Sequence, residues 1–304
     1  MKRAGGKKCS GIVTLITDFG YKGEYVGSMK GAILNVNPRC QIIDITHQIT
    51  PQNIIEASWV LKNSFAFFPQ GTVHLVVVDP GVGSTRQPIV LVKKGDIFVG
   101  PDNGVFTPVL EGAGRNEGYE ISRKKLFLFP LSATFHGRDI FAPVAGYLSM
   151  GYPLKRVGPA LKDFVRIHWP QPQLQKGKLL GQILWGDSFG NQITNISREA
   201  YGELLTNRQI MIRGKGWQIH RIHRTYSENE SGKPMALFGS SGLLEIAVNQ
   251  GCAGKQLGLG AGDAVTVHLK DRPQTTVHRK EKAKEMIVHR PQSTVHGKGK
   301  EKIQ

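Results

Sequence analysis

Apolar and polar positions along this chain follow a strand-like period in some stretches and a helical one in others. Ile12–Ile16, Gln41–Asp44 and Thr72–Val78 are short β-branched runs of strand character. Between them, Glu24–Asn37 and Gln52–Phe68 repeat apolar residues at helical spacing. The second lies behind Thr50-Pro51, read as a cap and a first-turn proline. Strand–helix–strand order at this spacing predicts βαβ units and a mainly parallel sheet. Ile89–Val92 and Asp96–Val99 read as a hairpin around Lys94-Gly95. Arg138–Met150 reads as a further helix, with Phe141, Val144, Ala145 and Leu148 on one face.

The pattern changes after Trp169-Pro170-Gln171-Pro172, a rigid linker. Short strands and frequent glycines follow, at Leu179–Trp185, Gln209–Arg213, Met235–Phe238 and Ala264–His268. The expected architecture is an α/β domain with a mainly parallel sheet over residues 11–168, a linker over 169–176, and a smaller all-β, barrel-like domain over 177–269. A basic arm (1–10) and a basic tail (270–304) are expected to be disordered. Within the tail, Arg272-Pro273-Gln274-Thr275-Thr276-Val277-His278 recurs nearly unchanged from Arg290 to His296. Two copies of a polar segment do not make a solenoid.

Composition narrows the class. The chain has 304 residues, 39% of them hydrophobic, enough for a real core. No apolar run approaches the roughly 20 residues of a membrane span, and the basic N-terminus lacks a signal peptide's apolar stretch. Cys9, Cys40 and Cys252 are odd in number and far apart, so they predict neither a disulfide framework nor a metal site. A reducing cytoplasm is the expected setting. The net charge of +17 invites a nucleic-acid reading. Residues 1–8 hold +4 of it and residues 270–304 hold +6, which leaves +7 on the body. The expectation is therefore a weak contact of the tails with polyanions, not a dedicated nucleic-acid enzyme.

Candidate chemistry sits at three junctions. The run Val76-Val77-Val78 ends on Asp79, a Pro80-Gly81-Val82-Gly83 turn follows, and Arg86 arrives seven residues after the aspartate. Such a return can set Asp79 and Arg86 side by side at a strand end, where ligands bind in open α/β sheets; it can equally be a structural pair. Ile12–Ile16 likewise leads into Thr17-Asp18-Phe19-Gly20, and Thr134-Phe135-His136-Gly137-Arg138-Asp139 precedes a helical pattern. All three junctions can converge at one edge of a sheet. His47 and the Asp102-Asn103-Gly104 turn are read chiefly as structural.

With those residues in place the chain resembles the S-adenosyl-L-methionine hydroxide adenosyltransferases, water-using relatives of fluorinase and chlorinase. The matching strings are Ile16–Gly20, Thr50–Asn53, Val78–Gly83, Gly100–Gly104, Thr134–Asp139 and Phe189–Asn195. No one string is specific, but together they follow family order across residues 12–268.

The resemblance implies a hydrolase that splits S-adenosyl-L-methionine into adenosine and L-methionine, with no cofactor or metal. Asp79, Arg86 and His136 match the family's proposed water-activating triad. Asp18 matches the aspartate that grips the ribose hydroxyls, and Asn191 the asparagine that reads the adenine edge. Asp187, Ser240, Ser241 and Glu245 fall where relatives hold the methionine end, and Val248 lies beside the purine. Relatives are homotrimers whose active sites lie between the α/β domain of one subunit and the β domain of the next, and the same is expected here. Fluorinase has a serine where this chain has Gly137, a tyrosine at His136 and another at Asp79. It also carries an insertion in the hairpin that this chain lacks. An anionic Asp79 would repel a halide, so hydrolysis is favoured over halogenation. A non-catalytic protein that binds S-adenosylmethionine or adenosine, and a basic RNA-associated protein, are the alternatives from other classes.

Overall fold

The structure is a computed structural model that describes residues 9–111, 113–206 and 208–270. Most of the basic arm and nearly all of the basic tail, including both copies of its repeat, lie outside the described residues.

The first domain begins with β1 (Ile12–Thr17), α1 (Tyr25–Val36), β2 (Gln41–Thr46), α2 (Ile54–Ser64) and β3 (Val73–Val77). A hairpin of β4 (Pro88–Lys93) and β5 (Asp96–Pro101) follows, then α3 (Thr107–Glu111), β6 (Glu117–Glu120), α4 (Ala142–Ser149) and β7 (Ala160–Leu161). The sheet order is β2-β1-β3-β5-β4-β6-β7. The pairs from β2 to β5 are parallel and those beyond are antiparallel.

Strand alternation divides the apolar residues between two cores. Val13, Leu15, Val73, Leu75 and Val77 pack with Met29 and Ile33 of α1 and with Val144 and Leu148 of α4. Ile16, Val76 and Val78 point the other way, onto Ala57 and Leu61 of α2 and Phe98 of β5. Burial on both faces explains why the parallel strands read as nearly unbroken apolar runs. Phe141 is completely buried, so its truncation to alanine should cost about 3–5 kcal/mol.

Two local readings change. Helix α2 is capped by Asn53, whose side chain accepts from Glu56 N–H at 3.1 Å, not by Thr50-Pro51. Glu56 reaches back past the cap to accept from Thr50 N–H at 3.0 Å, and the two bonds together set the helix start later. Gln52 is left outside the helix at φ 66°. The helix expected from Arg138 opens instead with a π-helical turn, Gly137–Phe141, that runs into α4. The hairpin turn is as expected: Lys94 and Gly95 both have positive φ, at 50° and 96°, suiting a two-residue connection.

The second domain comprises β8 (Gln173–Gln175), β9 (Lys178–Gly186), β10 (Gln192–Ser197), α5 (Arg198–Thr206), β11 (Gln209–Gly214) and β12 (Trp217–Ile219). It continues with β13 (Ile222–His223), β14 (Pro234–Phe238), β15 (Leu243–Val248), α6 (Ala253–Leu257) and β16 (Ala264–Lys270). The order β12-β11-β16-β9-β10-β15-β14-β13, with β8 on β9, curls around one core so that β12 meets β14. The half-barrel is the expected architecture, with two short helices added.

The two domains are in contact. Ile55 and Trp59 of α2 pack against Leu184, Trp185, Ile193 and Leu243. Trp169, in the connection, meets Trp59 edge-on with ring centroids 5.4 Å apart.

Candidate active site

Just past β3 the chain turns sharply. Val82 N–H donates to Asp79 O at 3.2 Å, and Ser84 N–H to Gly81 O at 3.1 Å. Gly83 sits at φ 78°, where a Cβ would come 2.7 Å from Ala133 O, so only glycine fits. The turn returns Arg86 to Asp79. Arg86 Nε donates to both carboxylate oxygens, at 3.0 and 2.9 Å, and Nη2 adds a third contact. Both side chains are nearly buried, and the guanidinium lies over the Phe141 ring at 5.2 Å.

Arg86 Nη2 also lies 2.9 Å from His136 Nδ1. A guanidinium has no acceptor, so Nδ1 must accept and the neutral ring carries its proton on Nε2. Burial lowers the pKa of His136, and the Arg86 cation lowers it further. The neighbouring junction is pinned by Asp139, which is fully buried and takes Arg138 Nε at 2.6 Å and Ser132 N–H at 2.7 Å.

Asp18 follows β1, beside this turn. Its Oδ2 accepts from Gln52 N–H at 2.8 Å, which the positive φ of Gln52 makes possible. Asp18, Asp79 and His136 line one cavity of ≈ 280 Å3, together with Phe19, Gln52 and Phe135. All three junctions therefore meet at the carboxyl ends of β1 and β3. Asn103 of the Asp-Asn-Gly turn donates to Val78 O at 2.9 Å and braces the strand end.

The second domain carries a different pocket. Asp187 Oδ1 accepts from Phe189 N–H and Asn191 N–H, both at 2.9 Å, and Oδ2 accepts from Asn191 Nδ2 at 2.9 Å. Tyr226 OH donates to Glu245 Oε2 at 2.8 Å and lies 3.4 Å from Asn191 Nδ2. Burial raises the pKa of Glu245, with nearby Asp187 adding to it and the Tyr226 bond opposing it. Burial and then the Glu245 contact raise that of Tyr226. Asn191, Tyr226 and Val248 line a cavity of ≈ 550 Å3 with Phe189.

The structure thus gathers the sequence-read residues into two sets. Asp18, Asp79, Arg86 and His136 form one; Asp187, Asn191, Glu245 and Val248 form the other. The first cavity is lined only by residues 18–137 and the second only by residues 189–251. Ser240 and Ser241 occupy the turn between β14 and β15, where Ser240 is exposed and Ser241 faces the hollow between the domains. Sequence reasoning missed Tyr226 and Gln52. Tyr226 lies in an irregular segment without periodicity, and the backbone role of Gln52 has no side-chain signature. Among the described residues, no His, Cys, Asp or Glu cluster could hold a metal ion, and no helix is long and apolar enough to cross a membrane.

The model of the SAM hydroxide adenosyltransferase N-terminal domain matches residues 13–158, and that of the C-terminal domain matches residues 181–266. An (R)-S-adenosyl-L-methionine hydrolase of Thermus thermophilus is 34% identical over 259 residues, which cover 82% of this chain and 96% of the relative. One of Methanocaldococcus jannaschii is 36% identical over 269 residues, covering 84% and 95%. A fluorinase of Actinoplanes is more distant, at 27% over 288 residues, covering 84% and 97%. The crystal structure of an uncharacterized conserved protein from Thermotoga maritima superimposes with a TM-score of 0.76 at 40% identity, covering 84% of this chain and 99% of that one.

Proposed function

The chain belongs to the SAM hydroxide adenosyltransferase family, and on that footing we propose that it hydrolyses S-adenosyl-L-methionine to adenosine and L-methionine. The observation that carries this reading is Arg86, which holds the Asp79 carboxylate and His136 Nδ1 at once at the end of β3. A water-derived oxygen attacks ribose C5′ as the C5′–S bond breaks. Its electron pair passes to sulfur, giving neutral methionine, and one proton is released. A sulfonium leaves easily, so the site's task is to hold and activate water. His136 is held as the Nε2–H tautomer. It donates to the attacking oxygen and, with the Arg86 cation, favours its hydroxide character, while Asp79 orients Arg86.

In this reading Asp18 accepts from the ribose hydroxyls and Asn191 pairs with the adenine edge, beside Val248. Asp187, Glu245, Ser240 and Ser241 receive the methionine end. No cofactor is needed, because the leaving group departs without electrophilic help. The site is completed between two copies of the chain in a homotrimer. The two separate cavities support this, as do the exposed rings that flank them, Tyr21 and Tyr25 near the first and Phe189 at the second. A cytoplasmic setting is part of the proposal, supported by three free thiols. So is a weak contact of the basic ends with polyanions, supported by their share of the charge.

Incubation with S-adenosylmethionine and chromatography of the products tests the activity. Adenosine and methionine are expected in equal amounts, without added metal or halide; S-adenosylhomocysteine, or no product, overturns it. Mixing His136→Ala subunits with Asn191→Ala subunits, each inactive alone, tests the shared site. Exchange should restore part of the activity.

A further inference from the structure

We infer that His47 is a positioning residue for the Asp18 carboxylate, acting through Thr17 as one end of a hydrogen-bonded chain beneath the ribose-binding loop; this rests on the reading of Asp18 given above. His47 is completely buried and lies outside the cavity that Asp18 lines. Its Nδ1 is 2.8 Å from Thr17 Oγ1, and its Nε2 faces Asp44 Oδ1 at 3.1 Å, off the line of a full hydrogen bond. Asp44 in turn is held by Lys30 of α1 at 2.6 Å.

A carboxylate only accepts, so the proton of the neutral ring belongs on Nε2, facing Asp44. Nδ1 must then accept, and the Thr17 hydroxyl is the donor. That leaves the oxygen lone pairs of Thr17 for Phe19 N–H, at 3.3 Å. Asp18 is the residue between the two. The backbone of His47 acts on the same loop, since its carbonyl accepts from Gly20 N–H at 2.7 Å. Residues 17–20 are therefore tied to His47 at both ends, while Gln52 N–H fixes the carboxylate itself. Burial lowers the pKa of His47, so the ring remains the neutral, one-directional link this chain requires.

Such a linkage affects only what Asp18 touches. The discriminating ligands are adenosine and 2′,3′-dideoxyadenosine, which differ in the hydroxyls assigned to Asp18. Calorimetry on the full chain should show adenosine bound about tenfold or more tightly than the dideoxy analogue, as loss of hydrogen bonds to a charged group predicts. In His47→Leu this ratio should collapse towards one, through weaker adenosine binding. His47→Gln, which keeps a donor and an acceptor, should recover much of it. Thr17→Val breaks the same chain at the other member and gives the same reading if His47→Leu does not fold. An unchanged ratio in the folded variants overturns the inference, as does a parallel loss for both ligands, which marks general damage. If the wild-type chain does not distinguish the two ligands, the assignment of Asp18 fails in that arm, independently of His47.

Discussion

The two half-sites handle charge in opposite ways. At the end of β3, the Asp79 carboxylate is matched by Arg86, and the imidazole beside them is kept neutral by burial and by that cation. In the second domain, Asp187 and Glu245 share a neighbourhood with Tyr226 and Asn191, and no ion pair among the described residues joins them. The Asp79–Arg86–His136 corner is balanced before anything binds, as suits a place that must hold a small neutral water in a fixed direction. In the second half, burial penalises the charge of Glu245, and the Asp187 carboxylate beside it adds to that penalty. A cationic ligand relieves that penalty, and S-adenosylmethionine carries both a sulfonium and an ammonium. One chain thus spends its rigidity on the nucleophile and its electrostatic imbalance on the substrate.

The sharpest way to break this comparison is at the balanced corner. His136→Ala and Arg86→Ala should slow single-turnover hydrolysis by about 10²-fold or more, with direct binding of substrate little changed. Near-normal rates in both would remove the role assigned to this corner. Arg86→Ala should also lower the melting temperature, because it leaves the nearly buried Asp79 without its counter-ion. Arg86→Lys should recover stability better than rate, since a point charge cannot span carboxylate and imidazole together.

Next in size is the unbalanced pocket. Glu245→Gln should weaken S-adenosylmethionine about tenfold while leaving neutral adenosine almost unaffected, measured by calorimetry with both ligands. Its effect on the free protein has a defined sign. A raised carboxyl pKa means that the folded state holds its proton more tightly than the unfolded one. The stabilising contribution is therefore present at low pH and is lost as pH rises through the folded value. Glu245→Gln should accordingly raise the melting temperature at neutral pH and do little in acid. Equal loss of both ligands would contradict the assignment of this pocket to the cationic end.

The pH profile separates the halves more gently. Protonation of His136 Nδ1 would expel Arg86, so the rate of the bound complex should fall on the acid side. The lowered pKa puts that midpoint below the ordinary 6.5. An acid limb above 6.5, or none in the acid range, would mean that the neutral imidazole is not what matters. The smallest effect is expected for Ser240→Ala. Its hydroxyl offers one neutral hydrogen bond to the methionine end, so its loss should weaken S-adenosylmethionine by only about threefold.

Local signals decided much of what the first domain looks like. β1, β3 and the hairpin were legible because buried parallel strands carry continuous apolar runs, and because Lys94-Gly95 is chemistry that a tight turn demands. The start of α2 was misplaced because Pro51 gave a plausible first-turn signal, while Asn53, three residues after Thr50, is the cap that forms. Asp79 and Arg86 could be read as a candidate pair because the turn between them can return one to the other; His136 joined them only through the family resemblance.

The sequence by itself therefore determined the order of the elements, the two-domain class and the residue types available for chemistry. These depend on interactions a few residues apart. Tertiary structure alone decided which of them share a cavity. It brought His136 to Arg86 across fifty residues and Tyr226 to Asn191 across thirty-five, and it placed His47 beneath Asp18. It also set the protonation states, because desolvation is a property of the packed surroundings, and no single stretch of chain carries it.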